Sequence, residues 1–160
     1  SRGMLVEPAN YNCPGQLVIS GTVEGVNAAM ELLKQKGCKK CIPLQVSAPF
    51  HSSLLKPAGE KLGAELRKTA FQDPKVPYVA NVDGSVVRSK DGIVSRLIEQ
   101  VWKPVRWTQS LQKIFSEFQP AVAIEVGPGK VVSGHVKKLA PTVLCYSTES
   151  VEALAKVLAF

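Results

Sequence analysis

His51 is the residue whose type and position most directly suggest catalysis. It follows Pro49 at the end of a predicted strand and stands at or near the start of a predicted helix. The positive end of a helix dipole disfavours a charged imidazolium, so the ring would stay neutral and able to act as a general base. A structural histidine bonded within the loop is the alternative. His135, inside a later predicted helix, is expected to be a surface or packing residue.

A general base needs a nucleophile to deprotonate, and the sequence contains no evident one. The Gly-x-Ser-x-Gly motif that exposes a catalytic serine is absent. Ser20 and Ser133 each precede a glycine but lack the rest of that pattern. Cys13 precedes a proline in a predicted turn and has no evident partner. The chain therefore offers a candidate base without the group on which it would act.

Cys38 and Cys41 form a Cys-x-x-Cys pair. A structural zinc site would need a second pair of Cys or His ligands at similar spacing, and the sequence supplies none. A thioredoxin-like redox pair lies between a strand and the start of a helix, whereas this pair precedes a predicted strand. We therefore expect reduced, partly buried thiols, no metal, and a reducing compartment, either the cytoplasm or an organelle.

The segment 127–130, Gly-Pro-Gly-Lys, follows a predicted strand and resembles part of a phosphate-binding loop. It lacks the full Gly-x-x-x-x-Gly-Lys-Ser/Thr spacing, and Val131 occupies the position of the hydroxyl residue. A tight turn at the start of a helix is the favoured interpretation. The backbone N–H groups of that helix would remain available to an anion.

The composition is that of an ordinary globular chain of 160 residues, with 45% hydrophobic and 21% charged residues. This length suits one domain or part of a larger one, and no apolar run approaches the ~20 residues of a membrane span. The net charge of +7 favours an acidic partner. Because the basic residues are scattered and do not alternate with aromatic ones, we expect neither nucleic-acid binding nor membrane association.

From about residue 40 onward, predicted strands and helices alternate along the chain, which predicts an α/β fold with parallel strand pairing. Before that point, strand, helix and strand resemble half of a small α+β unit. Residues 5–10 are predicted to be a strand followed by a loop, and further strands are predicted at 16–20, 42–48, 76–81, 85–87, 121–126 and 143–146. Helices are predicted to begin at Thr22, near His51, at Asp91, at Thr108, after Gly129 and at Ser150. The buried stripe of the helix near His51 is predicted to be Leu55, Ala58, Leu62 and Leu66.

Five ordered segments together resemble the malonyl-CoA:acyl carrier protein transacylases and the related acyltransferase domains of polyketide synthases. The most specific is 46–58, Val-Ser-Ala-Pro-Phe-His-Ser-Ser-Leu-Leu-Lys-Pro-Ala. The others are Asn-Tyr-Asn-Cys-Pro-Gly-Gln-Leu-Val-Ile-Ser-Gly at 10–21, Asn-Val-Asp at 81–83, Pro-Val-Arg-Trp at 104–107 and Glu-Val-Gly-Pro-Gly-Lys-Val-Val-Ser-Gly at 125–134. The likeness extends over essentially the whole chain.

The resemblance is to the C-terminal half of that family. Motifs of the N-terminal half are not found here: the serine elbow, the oxyanion-hole glutamine and the arginine that pairs with the malonyl carboxylate. The implied fold is α/β. Residues 1–47 would be part of the small ferredoxin-like α+β subdomain, and 48–160 would be the C-terminal part of the hydrolase-like parallel-sheet domain.

The resemblance also assigns roles to individual residues. His51 matches the catalytic histidine, and Gln100 matches the position whose backbone carbonyl orients it in place of a triad carboxylate. Phe50 resembles the malonyl-type signature of polyketide acyltransferases, where a ring would crowd an α-methyl group. The polar residues that line the cleft for the pantetheine arm are matched by Asn10, Asn12 and Gln16.

The implied reaction transfers a malonyl group from malonyl-CoA to the phosphopantetheine thiol of acyl carrier protein through a serine ester, as in fatty acid biosynthesis. The coenzyme A thioester is a substrate, and no cofactor is implied. The expected partners are acyl carrier protein and the N-terminal half of the enzyme, and the isolated chain is expected to be inactive. The alternative is a non-catalytic α/β binding module with an acidic protein partner, which the positive charge permits.

Overall fold

The computed structural model describes residues 3–159 and has a mixed α/β architecture. The strands are β1 (Val6–Cys13), β2 (Gln16–Gly21), β3 (Tyr78–Val79), β4 (Val86–Val87), β5 (Val122–Glu125) and β6 (Leu144–Ser147). The α-helices are α1 (Val23–Gln35), α2 (Lys56–Leu66), α3 (Ile93–Gln100), α4 (Trp107–Phe118), α5 (Val131–Leu139) and α6 (Val151–Leu158), and a 3₁₀ turn covers Ser53–Leu55. The predicted α/β class is confirmed.

The first unit is an antiparallel hairpin followed by a capped helix. β1 and β2 pair across a turn in which Gly15 has a φ of 77°, a conformation that glycine adopts without strain. The Thr22 side chain accepts a hydrogen bond from the Gly25 N–H at 3.1 Å and so caps α1, as predicted. The helix ends at Gln35, and Gly37, two residues later, turns the chain away with a φ of 88°.

The predicted strand at 42–48 is wrong. Its alternating apolar side chains are mostly exposed, at 60% for Ile42, 58% for Leu44 and 64% for Val46. A strand needs a neighbouring backbone to pair with, and residues 3–159 place none beside this segment. The predicted domain boundary between residues 47 and 48 falls at its end and stays a prediction.

Helices α2 and α3 pack closely because two glycines of α2 face α3. A Cβ atom on Gly59 would lie 2.9 Å from the carbonyl oxygen of Ile98, and one on Gly63 would lie 2.7 Å from the Cδ1 atom of Ile98. The predicted leucine stripe is therefore wrong as the contact face: Ala58 and Leu62 are exposed, whereas both glycines are buried.

Three predicted helix starts also need correction. The residue before α3 is Gly92, with a φ of 76°, so Asp91 does not cap that helix. α4 begins at Trp107, and the Thr108 hydroxyl instead donates a hydrogen bond to the Tyr11 carbonyl at 3.1 Å. The start near His51 is displaced as well, because the 3₁₀ turn intervenes before α2.

The last part of the chain contains the parallel pair that the alternation predicts. β5 and β6 pair in parallel, with Val122 opposite Leu144, and α5 crosses between them. β3 and β4 are shorter than predicted and form a small antiparallel sheet. A small buried core lies beside that sheet and consists of Ala80, Val82, Val87 and Ile93 with Phe71 against them. Within residues 3–159, the helices fall short of the length and apolar character that crossing a bilayer requires.

Candidate active site

The His51 ring is held by a backbone carbonyl from the end of α3. Its Nδ1 atom lies 2.8 Å from the carbonyl oxygen of Gln100. Because a carbonyl only accepts hydrogen bonds, Nδ1 carries the proton, and the lone pair of the neutral ring lies on Nε2. The structure thus brings together the predicted histidine and the carbonyl predicted to orient it.

His51 lies in a turn with an uncommon backbone conformation. Its φ of 58° is in the left-handed region, which residues other than glycine seldom occupy, although histidine is among the more tolerant. Ser52, only 1% exposed, donates a hydrogen bond from Oγ to the Pro49 carbonyl at 2.7 Å. The His51 N–H donates to the Val101 carbonyl at 3.3 Å. These bonds define the direction in which the ring leaves the backbone.

A carboxylate from β1 contacts the same turn. Glu7 Oε2 accepts a hydrogen bond from the Ser53 N–H at 2.6 Å, so a negative charge caps the N-terminal end of the 3₁₀ turn. β1 also contacts the segment after α3, where the Tyr11 N–H donates to the Val105 carbonyl at 2.9 Å. Sequence reasoning missed Glu7, because 46 positions separate it from Ser53 and no local motif marks the pair.

The residues predicted to contact substrate lie on the β1–β2 hairpin and beside His51. Asn10 and Asn12 are half-buried in β1, and Gln16 is exposed at the start of β2. Phe50 directly precedes the histidine and is 49% exposed, so its ring is accessible to a ligand. Their roles toward a substrate stay predictions.

Positive charge borders the histidine turn. Trp102 follows Gln100 by two residues. Its ring centroid lies 5.8 Å from Lys56 Nζ and 5.2 Å from Lys103 Nζ. Both distances are in the range of cation–π attraction. Lys103 also pairs with Glu99 at 3.0 Å. We call Lys56, Trp102 and Lys103 the basic rim.

The N-terminus of α5 binds a carboxylate of this chain itself. The two carboxylate oxygens of Glu125 accept hydrogen bonds from the Val132 N–H at 3.1 Å and the Ser133 N–H at 2.8 Å. Burial raises the pKa of Glu125, but the hydrogen bonds from Ser133 and Val132 outweigh it, and the net pKa lies below its ordinary value. The N–H groups of Val132 and Ser133 are therefore not available to an outside anion. Residues 127–130 are a series of bends that lead directly into α5, in agreement with the interpretation as a turn at a helix start.

The other candidate residues from the sequence, His135 and the cysteine pair, are not among the residues that contact the histidine turn. His135 is a packing residue, 9% exposed, and burial followed by the charge of Lys138 lowers its pKa. Cys38 is exposed and Cys41 half-buried, so the expectation of partly buried thiols is wrong for Cys38. Residues 3–159 contain no cluster of three or more side chains suited to a metal ion.

His51 is half-buried, and the histidine turn lies away from two concavities of the described structure. Concavities of about 690 Å³ and 140 Å³ occur elsewhere, the first beside α2 and α3 and the second beside α5 and β6. Neither is lined by His51. The site is formed by the histidine turn, the end of α3 and β1.

Comparison with known proteins gives one consistent result, although no family model matches the chain. The malonyl CoA-acyl carrier protein transacylase of Bacillus subtilis strain 168 is 51% identical over 137 residues, which are 86% of this chain and 43% of that protein. The acyl-carrier-protein S-malonyltransferase of Burkholderia pseudomallei 1710b superposes with a TM-score of 0.92 at 40% identity, over 98% of this chain and 50% of that one.

A further solved structure, a malonyl-transacylase in complex with a type II PKS acyl-carrier protein, has a TM-score of 0.93 and 36% identity over 99% of this chain and 51% of that chain. The chain thus spans about half the length of the relatives it matches. The resemblance to malonyl-CoA:acyl carrier protein transacylases predicted from the sequence is confirmed.

Proposed function

We propose that this chain supplies the catalytic histidine of a transferase that moves a malonyl group from malonyl-CoA to the phosphopantetheine thiol of acyl carrier protein. The observation that carries the proposal is the 2.8 Å contact between His51 Nδ1 and the Gln100 carbonyl. His51 lies inside the segment that most resembles the family, 46–58. The nucleophile would be a serine of the N-terminal half, which this chain does not contain. We place the reaction in the cytoplasm, where thiols stay reduced.

His51 would move one proton in each half of the reaction. Nε2 takes the proton of the serine hydroxyl as the serine oxygen attacks the thioester carbonyl. The imidazolium then returns that proton to the departing coenzyme A sulfur, which leaves a malonyl-serine ester. In the second half Nε2 takes the proton of the carrier thiol, which attacks the ester, and returns it to the serine oxygen.

The Gln100 carbonyl would orient the ring and stabilise it while it is charged. A neutral carbonyl carries less negative charge than the carboxylate of a Ser-His-Asp triad. Its main contribution would therefore be to hold the ring in the tautomer with a proton on Nδ1 and to direct Nε2 toward the nucleophile. Asn10, Asn12 and Gln16 would contact the pantetheine arm. Phe50 would crowd an α-methyl group and so favour malonyl over methylmalonyl.

The basic rim would attract the acidic carrier protein or the phosphates of coenzyme A. Attraction of this kind mainly raises the association rate, and salt weakens it with a Debye length of ~8 Å at physiological ionic strength. For the complete enzyme with malonyl-CoA saturating, we expect kcat/KM for the carrier to fall as salt rises. A flat response would place the docking charges outside this chain.

The division into residues 1–47 and 48–160 would give the enzyme two subdomains with the reaction in the cleft between them. The isolated chain would transfer no malonyl group, because covalent catalysis needs the nucleophile and oxyanion donors beside the base. Mixing the chain with the N-terminal half of a close relative should restore a serine-linked malonyl adduct.

The decisive experiment is the rate of serine malonylation in the complete enzyme, measured by intact mass after rapid mixing with malonyl-CoA. His51→Ala should lower the rate by ~10²–10⁴-fold, the usual worth of one general base. His135→Gln is the matched control and should keep a near-normal rate, because His135 belongs to α5, which is not part of the site. A near-normal rate for His51→Ala would refute its role. No malonylation of the unaltered enzyme would refute the activity and favour a binding module.

A further inference from the structure

Two thiols lie side by side just after the end of α1, and neither belongs to the residues assigned to malonyl transfer. Cys41 Sγ lies 3.6 Å from Cys38 Sγ, and both cysteines are free. A disulfide has a sulfur–sulfur distance of ~2.05 Å, so a movement of roughly 1.5 Å would join them. Cys38 is exposed and Cys41 half-buried, which leaves the first sulfur open to a small reagent.

The backbone holds one thiol and leaves the other free to approach. Gly37 donates its N–H to the Lys34 carbonyl at 3.0 Å, and Cys38 donates its N–H to the Leu33 carbonyl at 2.9 Å. These two bonds are the Schellman motif, which fixes Cys38 against the last turn of α1. Residues 39–41 lie outside regular structure, so Cys41 can move without breaking a helix or a strand.

The surroundings of the pair are positively charged. Lys36, Lys39 and Lys40 are exposed and flank the two cysteines, while Lys34 is paired with Glu31 at 2.7 Å. Exposed ammonium groups attract anions, so they raise the local concentration of an anionic small disulfide.

We propose that Cys38 and Cys41 form a thiol–disulfide exchange site whose oxidant is an anionic low-molecular-weight disulfide. The Cys38 thiolate attacks one sulfur of the small disulfide, forms a mixed disulfide and expels one small thiolate. The Cys41 thiolate then attacks Cys38 Sγ and expels the second small thiolate. The protein loses two electrons and two protons, and the small disulfide becomes two thiols. This site is independent of the proposed malonyl transfer.

The test uses the reduced 160-residue chain and glutathione disulfide, followed by acid quench, alkylation and intact mass. We expect the number of alkylated thiols to fall from four to two, with no glutathione retained and full reversal by dithiothreitol. The double variant Cys13→Ser, Cys145→Ser should fall from two alkylated thiols to none. Cys41→Ser should instead retain one glutathione on Cys38. A chain that keeps four alkylated thiols, or that retains glutathione on Cys38 while Cys41 is present, would overturn the proposal.

The choice of an anionic oxidant has its own test. The double variant Lys39→Glu, Lys40→Glu should react about tenfold more slowly with glutathione disulfide, because the local attraction becomes repulsion. Its rate with the neutral 2-hydroxyethyl disulfide should match that of the unaltered chain. An equal slowing with both disulfides would refute the assignment of an anionic oxidant.

Discussion

Adding one methyl group to either glycine of α2 tests whether the α2–α3 contact positions His51. α2 follows the histidine turn, and α3 ends at the carbonyl that binds the ring. A Cβ atom at position 59 would lie 2.9 Å from the Ile98 carbonyl oxygen and 3.0 Å from Trp102 Cδ1. Because the first contact is with backbone, Gly59→Ala must push the two helices apart.

The magnitude follows from two opposing terms. Inserting a methyl group into a tightly packed contact costs ~1–3 kcal/mol, while replacing a helical glycine by alanine gains ~1 kcal/mol. We therefore expect Gly59→Ala to lower the free energy of unfolding by about 1 kcal/mol. At Gly63 the close atom is Ile98 Cδ1, at 2.7 Å, the end of a side chain that borders an open concavity. Rotation of Ile98 relieves that contact, so Gly63→Ala should be neutral or slightly stabilising.

The assay is urea unfolding of the chain, with the midpoint and slope compared between the two variants. The nitrogen chemical shifts of the His51 ring report whether Nδ1 keeps its hydrogen bond, and we expect Gly59→Ala to change them and Gly63→Ala to leave them. In the complete enzyme, Gly59→Ala should also lower the malonylation rate more than Gly63→Ala. If Gly59→Ala were as stable as Gly63→Ala and left the His51 shifts unchanged, the helix contact would not position the histidine.

Three further changes test the site and the fold. Gln100→Ala should leave the malonylation rate of the complete enzyme within a few-fold of normal, since the backbone carbonyl remains. Gln100→Pro should destabilise the end of α3 by ~3 kcal/mol, because proline removes a helical hydrogen bond and clashes with the preceding turn. Glu7→Ala should remove the cap of the Ser53 N–H, at a cost of ~1 kcal/mol, and so speed hydrogen exchange of that amide. Glu7→Gln keeps a hydrogen-bond acceptor and should not speed it. The pKa of Glu125 is lower in the folded chain than its ordinary value of about 4.3, so its stabilisation is present above that value and is lost as the pH falls through the folded pKa. Between neutral and acid pH, the urea midpoint of Glu125→Gln should decline less than that of the unaltered chain, because the variant has no carboxylate to protonate at this position.

Local signals predicted the parts of the fold whose interactions are local. Thr22 and Gly37 mark the two ends of α1, and both act as the sequence indicates. The family resemblance also predicted the contact between the His51 ring and the Gln100 carbonyl, which the structure contains, while the catalytic role of His51 stays a prediction. Asp91 failed as a helix cap, because Gly92 takes a left-handed conformation and turns the backbone before α3 begins. Glu7 was missed, since its contact depends on how β1 lies against a turn far along the chain.

The failed strand at 42–48 and the exposed parallel pair have one physical explanation. A strand in a parallel sheet is buried on both faces, and apolar runs such as β5 are typical of that environment. Yet Ile124 is 49% exposed and Leu144 54% exposed, as are the apolar side chains of 42–48. The pattern of apolar residues indicates that a segment is stable as a buried strand. It does not provide the neighbouring strand or the covering surface, which another part of the protein must supply. Because the relatives that this chain matches are about twice its length, we infer that their other half supplies the surface that buries these residues. Charged substitutions at Ile124 should therefore cost little stability in this chain and much in the complete enzyme.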